Sequence, residues 1–490
     1  MTPKRLALLF PALASFSACN ASNELPRPMG VTSAVAAGGY LFALNEVFGR
    51  VVRLDPSGGT DTVRVGRHPE ALAATADGSW VVTLSRADHT LWAVEAGDNL
   101  RAHAVEIRPN HNTVAVSPSA AARFAITFVD LARLDELDID GSASLNEVTV
   151  IDLEGNAPTA SSVVVGFNPK QVVFTPDGTR AVVLSESFAS IIDLAAPADP
   201  VRIPLGANTT SDPVTPETVM VTPDNELALV ARRASSDVFV ITLSPPSVNI
   251  VDFKMLPTKF AASSDGTTVL AISAYSDRVA MFDIATGTVG IAVAEGSITD
   301  VAVPLEAADH RALFWADGLA DEAAYSLDLD SAEFTTISLV NPPTDISIGP
   351  GGSSVVLQRP YPTSNGNETD ALFDANDSLS ILDAGQSLIT PHFLESAPID
   401  VAFAADVEGN RLAIVTLREA ARLAVIDLDT LLIVARPHLS DAPRSLIPMG
   451  PPSSPSPVAV IHDQDWGLVS FLHPDGDIRV ASGFLLQDSL

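Results

Sequence analysis

Short apolar segments alternate with polar turns along most of the chain, and one arrangement recurs about every 40 to 45 residues. Each unit has an apolar strand after a proline, an Asp-Gly type of turn, a strongly apolar strand, a polar turn, a strand ending in aspartate, and a last strand. The clearest copy is residues 168–206, NPKQVVFTPDGTRAVVLSESFASIIDLAAPADPVRIPLG. Other copies begin at His68, Leu256 and Ala397. Strands rich in Val, Ile, Leu and Ala between turn residues predict an all-β protein.

Four strands per unit at this period predict a β-propeller built from four-stranded blades. We count about ten units over residues 31–490. One large propeller is the favoured arrangement, and a smaller propeller with extra strands or two packed propellers are the alternatives. The aspartate that ends the third strand recurs at Asp55, Asp152, Asp193, Asp283, Asp328, Asp383 and Asp427. Because these aspartates and the Asp-Gly turns repeat with the unit, we predict a role in turn geometry for them and not in catalysis.

The repeat resembles the YVTN, or 40-residue-repeat, β-propeller family of bacterial surface and secreted proteins. Residues 61–96, DTVRVGRHPEALAATADGSWVVTLSRADHTLWAVEA, carry the likeness through a Val-Gly-x-x-Pro start, an Asp-Gly turn and regular apolar strands. The resemblance implies a WD40-like propeller fold in an extracytoplasmic setting. It implies no reaction, because the family includes enzymes, cofactor carriers and adhesion modules.

The N-terminus has the pattern of an export signal that is followed by a lipid-anchored cysteine. Two basic residues precede an apolar run too short to span a bilayer, so residues 1–18 are predicted to be a signal peptide. Cys19 is the only cysteine, and its setting resembles the lipobox of bacterial lipoproteins, which implies acylation there. Residues 19–30 are polar and are predicted to form a short tether. The alternative is an ordinary signal peptide cleaved nearby, with Cys19 removed.

Asn20 differs from the aspartate that retains lipoproteins at the inner membrane, so an outer-membrane lipoprotein is predicted, on a face that the sequence leaves open. With 60 acidic against 28 basic residues, the net charge of −32 argues against nucleic acid and anionic lipid as partners. We therefore expect membrane contact through the lipid anchor only. A protein or a glycan of the cell envelope is the predicted partner.

Two acidic insertions, residues 131–146 and 361–377, expand the turn between the second and third strands of their units. Those turns lie at one end of a propeller, where loops on a rigid scaffold commonly bind ligands. The first insertion fits the spacing of a calcium loop, with a glycine at its sixth position. Its predicted ligands are Glu136, Asp138, Asp140, Ser142, Ser144 and Glu147. The alternative is a solvated acidic loop, because acidic residues are abundant in this chain.

A second set of acidic residues lies in the other insertion and in the corresponding turn of the last unit. Its predicted ligand-binding residues are Asp370, Asp374, Asp377, His462, Asp463 and Asp465. A solvated turn explains them equally well.

Motifs for haem attachment, zinc proteolysis, phosphate loops and serine hydrolases do not occur in the sequence, so neither haem nor a nucleotide is expected. We therefore favour a non-enzymatic binding or scaffold propeller that uses the loops of one face. The alternative is a propeller enzyme, a lactonase-like hydrolase or an oxidoreductase, with its site at the central channel. Such an enzyme would need several carboxylates, histidines or a metal at the channel mouth.

Overall fold

The computed structural model describes residues 33–485 except 134–143, 156, 207–215, 275, 305–309, 361–375, 384–387 and 463–466. Within these residues, forty strands form ten four-stranded antiparallel sheets. Each sheet consists of four consecutive strands in sequence order and is one blade of a propeller. The prediction of an all-β propeller with about ten blades is confirmed.

The first five blades follow the chain from residue 34 to residue 252. Blade 1 comprises β1 (Ala34–Ala37), β2 (Tyr40–Asn45), β3 (Arg50–Leu54) and β4 (Thr60–Arg64). Blade 2 comprises β5 (Pro69–Ala74), β6 (Trp80–Ser85), β7 (Thr90–Glu95) and β8 (Ala102–Glu106). Blade 3 comprises β9 (Thr113–Val116), β10 (Phe124–Phe128), β11 (Glu147–Asp152) and β12 (Thr159–Val164). Blade 4 comprises β13 (Pro169–Phe174), β14 (Arg180–Ser185), β15 (Phe188–Asp193) and β16 (Val201–Pro204). Blade 5 comprises β17 (Pro216–Val221), β18 (Leu227–Arg232), β19 (Asp237–Leu243) and β20 (Pro246–Asp252).

The other five blades repeat this plan. Blade 6 comprises β21 (Lys259–Ala262), β22 (Thr268–Ile272), β23 (Ser276–Asp283) and β24 (Val289–Ile298). Blade 7 comprises β25 (Asp300–Ala302), β26 (Arg311–Trp315), β27 (Ala323–Asp328) and β28 (Glu333–Ser338). Blade 8 comprises β29 (Pro343–Ile348), β30 (Ser354–Gln358), β31 (Ser378–Asp383) and β32 (Leu388–Phe393). Blade 9 comprises β33 (Pro398–Ala405), β34 (Arg411–Leu417), β35 (Arg422–Asp427) and β36 (Leu432–Ala435). Blade 10 comprises β37 (Pro443–Pro448), β38 (Val458–His462), β39 (Leu468–Leu472) and β40 (Ile478–Ser482). Three short 3-10 helices cover Arg86–Asp88, Leu131–Arg133 and Pro350–Gly352. No helix of the described residues is long and apolar enough to cross a membrane.

The first strand of each blade is the innermost one. First strands of most neighbouring blades contact one another, and β1 contacts β37, so that blades 1 and 10 are neighbours. Every pair of neighbouring blades shares a cluster of buried apolar side chains. The core is therefore divided into ten layers between blades, and the inner strands line a central channel.

The turn between the first and second strands is held by one network in four blades. In blade 4 the Thr175 hydroxyl donates to Asp177 Oδ1 (2.6 Å), and the Arg180 N–H donates to the Thr175 hydroxyl (3.0 Å). The residue after the aspartate, Gly178, has a φ of +72°, which glycine adopts without steric cost. The same network recurs at Thr75 and Asp77, Thr222 and Asp224, and Ser263 and Asp265. The predicted structural role of these turn aspartates is confirmed.

A proline begins the first strand in six blades, and a β-bulge follows it. The register shifts by one residue just after Pro69, Pro169, Pro216, Pro343, Pro398 and Pro443. A bulge inserts one unpaired residue and redirects the side chains beyond it. These bulges lie at the end of the propeller where each chain segment passes from one blade to the next, which is also the end that carries both insertions.

Candidate binding site at the channel mouth

The strand ends that the two insertions connect lie at the inter-blade end of the propeller, as the sequence predicts for the turn between second and third strands. The first insertion separates β10 from β11, and the second separates β30 from β31. The first strands begin at this same end, because each strand reverses direction relative to the previous one. Side chains near the start of the inner strands therefore lie closest to the insertion-bearing mouth of the channel.

Three aspartates occupy the same place on three successive inner strands. Asp300, Asp345 and Asp400 lie near the starts of β25, β29 and β33, and each precedes a β-branched residue and then a small one. We call these three residues the carboxylate arc. The arc extends over blades 7, 8 and 9.

Each end of the carboxylate arc contacts a donor on an adjacent blade. Lys259, which begins β21 of blade 6, forms an ion pair with Asp300. At the other end, Asp400 accepts a hydrogen bond from the Leu446 N–H of blade 10 (2.7 Å) and one from the Val401 N–H (2.9 Å). The side chain of Asp400 thus bridges two blades through the backbone of β37.

The middle residue of the arc is hydrogen-bonded within its own strand. Asp345 accepts hydrogen bonds from the Ser347 hydroxyl (3.1 Å) and from the Ile346 N–H. Burial raises the pKa of Asp345, and the negative charges of Asp300 and Asp317 raise it further. Burial likewise raises the pKa of Asp400, with an added contribution from Asp345. The arc carboxylates therefore repel one another in a partly dehydrated place, and a cation placed there would relieve that repulsion.

More acidic residues border the arc in the turns between second and third strands. Asp317 follows β26, and its N–H donates to the Thr299 hydroxyl (2.8 Å). Asp377, a residue predicted to bind a ligand, directly precedes β31, and burial together with the charge of Glu419 raises the pKa of its carboxyl. The insertion-bearing mouth thus carries several carboxylates over blades 7 to 9, together with the positive charges of Lys259, Arg359 and Arg418.

His462 is the last residue of β38 and is fully buried, whereas the sequence pattern had assigned it to the following turn. Its Nδ1 lies 2.9 Å from the Asp441 carbonyl oxygen, and its Nε2 lies 2.8 Å from the Ser470 hydroxyl. Ser85 and Gln358 occupy the same place in blades 2 and 8, and each also hydrogen-bonds a carbonyl of the connection that precedes its blade. His462 thus takes part in a contact that recurs among the blades. Its predicted role in ligand binding stays a prediction.

The predicted calcium ligands fall partly within the structure. Glu147 begins β11 and forms an ion pair with Arg108 (2.9 Å), and the Ser144 hydroxyl donates to Asn146 Oδ1 (3.0 Å). The other four predicted ligands, Glu136, Asp138, Asp140 and Ser142, lie outside the described residues. Also outside them are Cys19, Asp370, Asp374, Asp463 and Asp465. Calcium binding and lipidation stay predictions.

Among the residues that the structure describes, no three His, Cys, Asp or Glu side chains are grouped closely enough to hold one metal ion. The sequence interpretation missed the carboxylate arc. A signal was present, since Asp-Val-Ala, Asp-Ile-Ser and Asp-Val-Ala follow one another in three consecutive units at residues 300–302, 345–347 and 400–402. Alignment of the inner strands alone would have found it.

No family model matches the chain, and no curated protein matches it. The resemblance to the YVTN family therefore stays a prediction. Solved structures that resemble the chain include the dihydro-heme d1 dehydrogenase NirN in complex with DHE, at 16% identity over 74% of each chain with a TM-score of 0.43. Apo AztD from Citrobacter koseri matches at 10% identity over 81% of this chain and 94% of its own, with a TM-score of 0.41. Sqt1 from Saccharomyces cerevisiae matches at 9% identity over 75% of this chain and 96% of its own, with a TM-score of 0.43. At such identities and TM-scores, these likenesses carry no argument about activity or ligand.

Proposed function

We propose that the chain is a non-enzymatic binding or scaffold propeller of the bacterial cell envelope, which holds a positively charged protein segment at the insertion-bearing mouth of its channel. The carboxylate arc is the observation that supports this proposal. Three aspartates on neighbouring blades lie at the same mouth, and burial and the charge of a neighbouring aspartate raise the pKa of two of them. Lysine or arginine side chains of a partner would neutralise that repulsion in a place where water screens charge poorly.

The net charge of −32 adds a long-range attraction for a basic partner. This long-range attraction increases the association rate, whereas the carboxylate arc would determine where the partner binds. A neutral glycan is the other partner class that the sequence predicts. The negative charge of the propeller would not increase the affinity of such a glycan. The two classes therefore differ in the salt dependence of their binding.

The test is calorimetric titration of the domain with an oligo-lysine peptide and with a neutral oligosaccharide, at low and physiological salt. We expect the peptide to bind and the Asp345→Asn, Asp400→Asn double variant to lose about tenfold in affinity, as for removal of about 1.4 kcal/mol of binding free energy. The matched control is the Glu333→Gln, Glu408→Gln double variant, which removes two exposed charges at the opposite end of the propeller. An equal loss of peptide affinity in the arc variant and in the control variant would contradict a site at the arc. Binding of the oligosaccharide and not of the peptide would favour a glycan as the partner.

The arc is also the feature on which the alternative, a propeller hydrolase, would depend. Burial raises the pKa of Asp345 and Asp400, and a carboxyl with a raised pKa can act as a general acid near neutral pH. Hydrolysis of a chromogenic ester or a lactone by the wild type and not by Asp345→Asn would favour the enzyme. A rate equal to the buffer blank for both proteins would leave the binding function as the better account.

We propose further that Cys19 is acylated and that the lipid holds the propeller at the outer membrane. The basic start, the apolar run and the single cysteine support this localisation. The test is metabolic labelling with an alkyne-tagged palmitate in a bacterial host, with Cys19→Ala as the control. Label in the wild type alone would support the anchor, and label in neither protein would contradict it.

A further inference from the structure

A pocket of about 400 Å³ opens between blades 7 and 8, at the end of the propeller opposite the carboxylate arc. The apolar side chains of Leu313, Ile337, Ile348 and Ile389 line it, and all four are only partly buried. Pro304 and Leu382 add to these walls, whereas Ser326 and Ser354 provide hydroxyl groups. A cleft of this size with apolar walls and a few polar groups is typical of small-molecule sites.

The pocket exists because the core between these two blades is incomplete. The buried cluster between blades 7 and 8 contains six residues, whereas the clusters between other neighbouring blades contain nine to thirteen. Among the described residues, fewer apolar side chains are buried at this junction than at the others. The remaining ones, Leu313, Ile337 and Ile389, pack at the margin of the cluster.

Two serines line the pocket at places where other blades have larger apolar side chains. Ser326 stands two residues before the aspartate that ends its third strand, where blades 4, 8 and 9 carry Ile191, Ile381 and Val425. Those three side chains are buried in the clusters that their blades share with the next blade. From the other side, Ser354 begins β30 and faces blade 7 at the place that Val458 fills in blade 10. Ser354 is buried and Ser326 is partly buried, so two small hydroxyl-bearing side chains stand where other blades bury larger apolar ones.

Charged residues are found at the rim of the pocket. Asp328 and Asp383 end the third strands of blades 7 and 8, and Arg311 pairs across the sheet with Asp328. The N–H groups of Asp330 and Ser331 donate to the Asp328 carboxylate (3.0 and 2.9 Å), and such hydrogen bonds favour its charged form. Among the described residues that line the pocket, two carboxylates and one guanidinium give an excess negative charge. The rim therefore favours a cation over an anion.

We propose that this inter-blade pocket binds a small amphipathic amine, with its apolar body between Leu313, Ile337 and Ile389 and its ammonium group at Asp328 and Asp383. The body would replace the side chains that the core lacks, and removal of its surface from water would drive binding. The ammonium group would select cations through the rim carboxylates. This site is separate from the channel mouth and does not depend on the function proposed for it.

The test compares three probes that share one chain and differ in the head group: n-octylammonium, n-octanol and octanoate. Calorimetry and thermal melting are carried out with each probe below its aggregation concentration. We expect octylammonium to bind, octanoate to bind at least about tenfold more weakly, and octanol to lie between them. Equal affinity for all three would overturn the role of the rim, and no binding of octylammonium would overturn the proposal.

Variants locate the site. Ser326→Ile places in blade 7 the side chain that blade 4 has, and it should remove octylammonium binding while it raises the melting temperature of the free protein. Ser247→Ile, at an exposed serine of β20, is the matched control and should leave binding unchanged.

Ser354→Val fills the opposite wall of the pocket and serves as the test if Ser326→Ile folds poorly. Asp383→Asn should weaken octylammonium several-fold and leave octanol unaffected. Undiminished binding of octylammonium in both filled variants would place it elsewhere and overturn the assignment.

Discussion

Replacement of Thr175 by valine tests the turn network that recurs in four blades. Thr175 is fully buried, and valine keeps its branched shape, so the change removes the hydroxyl and little packing. Two short hydrogen bonds are lost, the one to Asp177 Oδ1 and the one from the Arg180 N–H, together with the longer one from the hydroxyl to the Arg180 carbonyl oxygen (3.1 Å). The hydrogen bond from the Arg180 N–H contributes about 1 kcal/mol. The hydrogen bond to Asp177 has a charged acceptor, but water screens that charge because Asp177 is exposed, so this bond contributes roughly as much. We expect the free energy of unfolding to fall by about 2 kcal/mol.

The melting temperature gives a direct measure of this loss. At about 2.1 cal/mol/K per residue, the 490 residues give an unfolding entropy of about 1 kcal/mol/K, so the expected decrease is about 2 °C. Differential scanning calorimetry and urea unfolding both measure it. Thr159→Val, at an exposed residue of β12, is the matched control and should change the free energy of unfolding by less than about 0.5 kcal/mol.

The pH dependence separates the two hydrogen bonds. Although burial opposes the shift, hydrogen bonds from Thr175 and Thr179 lower the pKa of Asp177 below 3.8. A lowered folded-state pKa stabilises the protein above pH 3.8, and this stabilisation is lost as the pH falls through the folded value. The cost of Thr175→Val should therefore decrease in acid. A cost equal to that of Thr159→Val, or one unchanged in acid, would refute the account.

Four further predictions concern other parts of the molecule. Asp345→Asn should raise the melting temperature at pH 7, because burial raises the folded pKa of this carboxyl and its ionisation destabilises the fold as the pH rises above 3.8; the gain should vanish below that pH. Burial and then the Arg108 charge lower the pKa of His111 from 6.5 to about 4, so stability should fall as the pH decreases between these values, by about 3 kcal/mol in total, and His111→Gln should remove this dependence in pH-resolved urea unfolding. Gly49→Ala should cost more than about 2 kcal/mol in chemical unfolding, because φ is +61° and a Cβ would stand 1.9 Å from the Gly66 carbonyl oxygen, whereas Gly58→Ala, whose Cβ meets no atom within 4 Å, bears only the backbone cost. Calcium should raise the melting temperature of the wild type, relative to its value in chelator, and should not raise that of Glu147→Ala. An equal rise in both proteins would contradict the calcium loop.

Blades could be predicted from the sequence because each is a local pattern. Residues 168–206 contain all four strands of blade 4 and the three turns that join them, and the alternation and turn residues that specify them are near neighbours in the chain. The number of blades follows from the number of repeat units in the sequence. The strand end at His462 was missed by one residue, since a polar residue that ends a strand resembles the first residue of a turn.

The candidate sites were harder to predict because they combine residues from separate blades. Asp300, Asp345 and Asp400 lie far apart in sequence, and each alone resembles an ordinary polar residue at a strand start. Ser326 becomes informative only when its strand is compared with the third strands of other blades. Which polar residues face the channel or a gap depends on closure of the ring, and no single unit specifies that.

Ring closure has a consequence for how such a molecule could change in size. Each of the ten sheets is one uninterrupted segment, and blades 10 and 1 meet through Phe471, Phe484 and Leu41 together with the Asn45 side chain on the Leu485 carbonyl (3.1 Å). This seam is of the same kind as the other junctions, since no strand is exchanged across it. Duplication or loss of one segment would cut no β-ladder and would require only that the junctions accept a new angle. Genetic copying of a single blade is therefore a route open to this architecture, and newly joined blades with mismatched faces would leave gaps such as the one beside Ser326.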